Sequence, residues 1–262
     1  MAGKLNMKRV RNVLVWATVL AGIGILWWMA IIRKSNAGVK SLVVDIELIG
    51  DNQKMISEQE IVKMTEQFLG GHADSAAIRK LDVRGLETFL NKDRRIEQAD
   101  VYFDSNDNLR IRIRQRKPIM RVIDKSHTSY YLDADGNQIP AGIGGAVRVP
   151  LVTGNVETYY TGLFESEKPV RLKEVFEIMK YVQKDDFLSA LIEQVHVEDI
   201  TGDIIMVPKI GRERLVFGGA EGMEDKFDKL KIFYREGLPR LGWSKYKTLN
   251  LKYTDQVACT LR

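Results

Sequence analysis

Twenty consecutive residues, Val13 to Ile32, carry no charge. At about 1.5 Å of rise per residue, a helix of that length covers roughly 30 Å, the hydrocarbon thickness of a bilayer. The stretch therefore reads as a single transmembrane helix, and no second one follows. Lys4, Lys8, Arg9 and Arg11 precede it and Arg33 and Lys34 follow, a balance that favours a cytoplasmic N-terminus. Trp27 and Trp28 suit the outer headgroup level. Ser35-Asn36-Ala37 offers the competing reading of a cleaved signal peptide, but the run is longer than an ordinary signal core and is closed by charge.

Residues 1–12 then form a short tail, and two domains follow the span, over about 39–118 and 119–262. With 45% hydrophobic and 29% charged residues the remainder is expected to be ordered rather than a disordered tether. The net charge of +5 lies largely in the tail, so a general role in binding nucleic acid loses its support. Cys259 is the only cysteine, which excludes an intrachain disulfide and any zinc-ligand spacing with the scattered His72, His127 and His196.

Val43 to Ile49 suggests a strand closed by Gly50-Asp51. Ser57 and Glu60 form a capping box before a helix that ends at Gly70-Gly71, and Asp82 caps a second, shorter helix. Ile96 to Phe103 and Leu109 to Arg116 are strand-like, with turn residues 105–108 between them. The order is β-α-α-β-β, with room for both helices on one face of a small sheet. Arg110, Arg112, Arg114 and Arg116 share one face of the last strand, which reads first as a solvated face and second as a contact for an anionic partner or lipid headgroups.

Beyond Pro118 the pattern predicts short strands, a helix over Leu172 to Gln183, three strands over 192–217, and an amphipathic helix through Met223 and Tyr234. That helix is expected to stop at Gly237, with Pro239 beyond it. Leu249 to Tyr253 and Val257 to Cys259 close the chain as two strands around Thr254-Asp255-Gln256. Asp133 to Asn137 reads as a hairpin turn, since it lacks the third acid and distal Glu of a calcium loop. Gly142, Gly144 and Gly145 lack the Lys-Ser of a phosphate cradle.

The β-α-α-β-β order, with Ile111 to Pro118 as an acid-Arg-x-Pro type of strand end, resembles the POTRA domain of the FtsQ/DivIB family of bitopic bacterial cell-division proteins. Gln115 stands where that family often has Glu. Tyr131 to Gly136, Pro150 to Gly154, Leu215 to Gly218 and Asn250-Leu251-Lys252-Tyr253 resemble successive motifs of the same family's C-terminal β domain. The resemblance implies an α+β chain: a transmembrane helix, a POTRA domain, and a mixed, largely antiparallel β domain with packed helices. It implies an inner-membrane, single-pass protein with both domains periplasmic at the division septum. Its partners would be bitopic division proteins of the FtsB and FtsL type, with other divisome components meeting the POTRA domain. Such a chain takes no cofactor.

Nothing in the sequence marks a catalytic site. A Cys259–His196 thiol pair is conceivable, but a lone cysteine between Val257 and Leu261 reads as a small packed hydrophobe. Carboxylate pairs such as Asp185-Asp186 lie in polar stretches. A non-catalytic divisome scaffold that helps control septal peptidoglycan synthesis accounts for that. In the family the last strands offer an edge to which a partner adds a strand, and here those positions are Leu251, Tyr253, Thr254, Asp255, Gln256 and Val257, with Tyr253 as aromatic anchor. The alternatives are a POTRA-bearing transport or chaperone component that binds client chains by strand addition, and a membrane-anchored cell-wall enzyme.

Overall fold

The computed structural model describes residues 16–29, 39–50, 52–72, 81–142 and 145–262. They divide into two compact units, one of Met1–Ile46, Glu58–Lys92 and Ala99–Ile113, the other of Glu47–Ser57, Asp93–Gln98 and Arg114–Arg262.

The expected transmembrane helix is corrected. Helix α1 covers residues 16–29, and among the described residues no helix is long and apolar enough to cross a membrane. The ends of the apolar run, its basic flanks and the Ser35-Asn36-Ala37 site lie outside the described residues.

In the first unit the expected element order appears. Strand β1 (Leu42–Ile46), helices α2 (Glu58–Leu69) and α3 (Val83–Leu90), and strands β2 (Ile96–Phe103) and β3 (Leu109–Gln115) build a sheet ordered β1-β3-β2. β1 runs parallel to β3, with Val44 opposite Ile111. Helix α2 ends where Gly70 turns left-handed (φ +69) and the Gly71 N–H reaches back to the Glu66 carbonyl at 3.2 Å. Asp82 caps α3 by accepting from the Gly85 N–H at 2.9 Å. Ile61, Leu86, Leu90, Leu109 and Ile111 are fully buried, so the helices' apolar stripes and one face of the sheet form the core.

The second unit holds β4 (Pro118–Ile123), β5 (Ser129–Asp133), β6 (Gln138–Pro140), β7 (Leu151–Gly154), β8 (Ile192–Val197), β9 (Ile204–Pro208), β10 (Arg214–Gly218), β11 (Tyr246–Asn250) and β12 (Ala258–Leu261). They form one sheet in the order β12-β11-β10-β9-β8-β7-β4-β5-β6. The β11–β10, β8–β7 and β7–β4 pairs are parallel, and the others antiparallel. Helix α4 (Arg171–Gln183) buries Leu172, Val175, Phe176, Ile178, Met179 and Val182 in the core. Tyr181 of α4 stacks on Phe227 of α6 (Met223–Ile232) at 5.3 Å, and Phe227 meets Phe217 of β10 at 4.8 Å, which fastens both helices to the strands.

Two local expectations change. Asp185 caps a short helix, α5 (Asp186–Leu191), by accepting from the Leu188 N–H at 3.0 Å. Six residues are too few for a visible period. Gly237 does not stop α6, because the chain passes through a π turn (Phe233–Gly237) into α7 (Leu238–Leu241). Pro239 sits in the first turn of α7, where its missing N–H costs nothing, and the left-handed Gly242 (φ +98) ends the helix.

Candidate partner-binding edge

Strand β12 lies at one end of the nine-stranded sheet and, among the described residues, pairs only with β11, Leu249 facing Cys259 and Asn250 facing Ala258. Among the described residues no strand lies beside its outer row of backbone N–H and C=O groups, the usual template for an added strand. Side chains alternate as a sheet requires: Cys259 is half-buried against the core, while Ala258 and Thr260 are exposed. Burial raises the Cys259 thiol pKa. His196 lies on β8, four strands away, roughly 19 Å at the ordinary strand spacing, so no thiol–imidazole pair forms.

Residues 251–257, expected to supply the edge, form the connection between β11 and β12 instead. Leu251 is fully buried, and its N–H donates to the Val216 carbonyl at 2.9 Å. Val257 is half-buried against the core. Tyr253 is half exposed, and Thr254, Asp255 and Gln256 are exposed, with Asp255 left-handed (φ 59). The connection is fastened at three points. The Lys229 ammonium of α6 donates to the Leu251 carbonyl at 3.4 Å and the Tyr253 carbonyl at 2.5 Å. Lys252 Nζ meets Asp203 Oδ2 at 2.8 Å, a hydrogen bond that raises the lysine pKa. The Lys252 N–H donates to Asn250 Oδ1 at 3.0 Å.

A groove of about 480 Å³ runs between this connection and α6, lined by Lys229, Ile232, Leu251, Tyr253, Thr254 and Asp255, among others. Exposed apolar surface lies beside it on Ile232 and Tyr253, and Leu261 projects from the far end of β12. The sequence reading placed Ala258 and Cys259 in the last strand but did not extend it to Thr260 and Leu261, and it did not single out Ile232. Val257 to Leu261 is an unbroken β-compatible run that signalled a longer last strand, whereas Ile232 carried no local signal.

The basic row is bound up in its own acids. Arg110 meets Asp104 at 3.1 Å and Asp45 at 3.4 Å, Arg114 meets Glu47 at 3.3 Å, and Arg116 meets Asp133 at 2.8 Å, while Arg112 is exposed. Asp133 also takes the N–H groups of Asp135 and Asn137, so its loop is a hairpin turn, with the carboxylate occupied.

The described residues form an α+β fold whose nine-stranded sheet ends on β12. The chain belongs to the FtsQ/DivIB, C-terminal related family, whose profile matches residues 117–260. Membership implies a role in cell division. No curated protein matches the chain.

Proposed function

We propose that this chain is a non-catalytic division scaffold that binds an extended segment of a bitopic partner of the FtsB or FtsL type as a further strand on β12. The observation that carries this reading is that β12 ends the nine-stranded sheet and, among the described residues, pairs with β11 alone. Main-chain hydrogen bonds along residues 258–261 supply the register, and Tyr253 and Ile232 supply apolar contact at the mouth. Leu251 and Val257 support the connection from below, while Thr254, Asp255 and Gln256 form its exposed rim. In this reading the β-α-α-β-β unit is a POTRA domain open to other divisome components, and the protein acts on the periplasmic face at the septum, restraining or releasing septal peptidoglycan synthesis by other enzymes.

The test is a pull-down of the full chain with FtsB-type and FtsL-type periplasmic segments, comparing wild type, Tyr253→Ala and Leu261→Pro. Tyr253→Ala should weaken capture by about tenfold, as expected for an aromatic anchor. Leu261→Pro should abolish it, because the Arg262 N–H bonds the Lys245 carbonyl on the inner side, so the Leu261 N–H faces outward and its loss obstructs an added strand. Capture unchanged in both, with circular dichroism intact, would remove β12 as the site. Capture of unrelated unfolded chains in place of these segments would support the transport reading.

A further inference from the structure

A cavity of about 230 Å³ opens on the second unit, lined by Arg94, Arg116, Asn137, Gln138, Tyr159 and Thr161. None of the six is an acid, and each side chain carries a hydrogen-bond donor. The backbone sets this up. The Arg116 N–H donates to the Arg95 carbonyl at 2.9 Å, and Arg116 Nε donates to the Arg94 carbonyl at 3.1 Å. Arg95 turns inward to grip Asp93, with Nη2 and Oδ2 at 2.8 Å, and Arg94 is left exposed, its Nη1 donating to Gln138 Oε1 at 3.1 Å. Arg116 is balanced by Asp133, but that buried carboxylate is already occupied by two backbone N–H groups and the Asn137 amide. Arg94 meets the neutral Gln138 amide and no carboxylate among the described residues.

We propose that this cavity binds a phosphate-type oxyanion. A guanidinium fork matches phosphate oxygens bidentately, and Arg94 offers one. Arg116 already donates through Nε, Nη1 and Nη2 to the Arg94 carbonyl, Asp133 and the Ile96 carbonyl at 3.1, 2.8 and 3.4 Å, so it holds the wall in place while Gln138, Tyr159 and Thr161 add neutral donors. The volume lies below the roughly 300–1,000 Å³ of pockets that enclose whole small molecules, so the ligand enters as a free ion or as the phosphoryl head of something larger.

The experiment is calorimetric titration of the full chain with inorganic phosphate at constant ionic strength, alongside Arg94→Gln and Arg148→Gln, the latter outside the cavity. Saturable binding is expected, weakened about tenfold or more by Arg94→Gln through loss of a charge-assisted pair, and unchanged in Arg148→Gln. Equal affinity in Arg94→Gln, equal weakening in both variants, or no saturable heat overturns the proposal. A second arm separates the sources of phosphate. Capture by phosphatidylglycerol vesicles but not phosphatidylcholine vesicles, removed by Arg94→Gln, assigns a lipid headgroup, and phosphate binding without that difference assigns the free ion.

Discussion

Gln115 stands where the family resemblance leads one to expect Glu, and its surroundings explain the amide. The side chain is 1% exposed; Oε1 accepts from the Met55 and Ile56 N–H groups at 2.7 and 3.1 Å, and Nε2 donates to the Glu47 carbonyl at 2.8 Å. A carboxylate could accept the first two bonds but could not donate the third. Gln115→Glu is expected to cost about 1–3 kcal/mol at neutral pH, through a buried charge facing a carbonyl. Burial raises the introduced carboxyl's folded pKa above its unfolded value, so the loss shrinks as pH falls and grows as pH rises through the folded pKa. Melts at pH 4 and pH 7 should show the smaller deficit at pH 4. Asp185 has the opposite sign. The hydrogen bond from Lys231, at 2.6 Å, and the Leu188 N–H hold its carboxyl below the usual range. Its contribution is present above the unfolded pKa of about 3.9 and is lost as pH falls through the folded one. Asp185→Asn should therefore give a shallower fall of melting temperature on acidification than wild type. An identical fall would show that this pair does not set the acid limb.

Three hairpins of the chain use one turn plan. Asp104, Asp124 and Asp133 each accept, through Oδ1, from the backbone N–H groups two and four residues on, and His127, Asp107 and Gly136 each take the left-handed position. In two of them the residue four on is Asn, whose amide donates to Oδ2 at 2.9 Å. The Asn108 amide and backbone N–H hold the Asp104 pKa well below the usual carboxylate range. In the third that residue is Thr128, and Asp124 Oδ2 is left buried without a hydrogen-bond partner. Thr128→Asn should complete the plan and stabilise the protein by about 0.5–1.5 kcal/mol, read as a rise in melting temperature. No rise would mean that Oδ2 is satisfied by solvent.

Across the whole molecule, what depended on neighbours in sequence was legible and what depended on strand order was not. The α2 and α4 stripes and the turn at 133–137 follow from local periodicity and turn chemistry, and each stands where the pattern put it. Helix α5 is too short to show a period, and the Gly237 stop failed because a π turn and a first-turn proline let the helix continue. The family was legible because its motifs recur in order, whereas the place of β12 at the end of the sheet depends on strands assembled from distant segments. Residues 251–257 looked like the edge and became the connection behind it. Hydrogen–deuterium exchange of the full chain, with and without an FtsB-type partner segment, tests this account most directly. It predicts new protection over residues 258–261, with a smaller change at Tyr253 and Ile232. Binding that protects other strands and leaves 258–261 exchanging as in the free protein would contradict it.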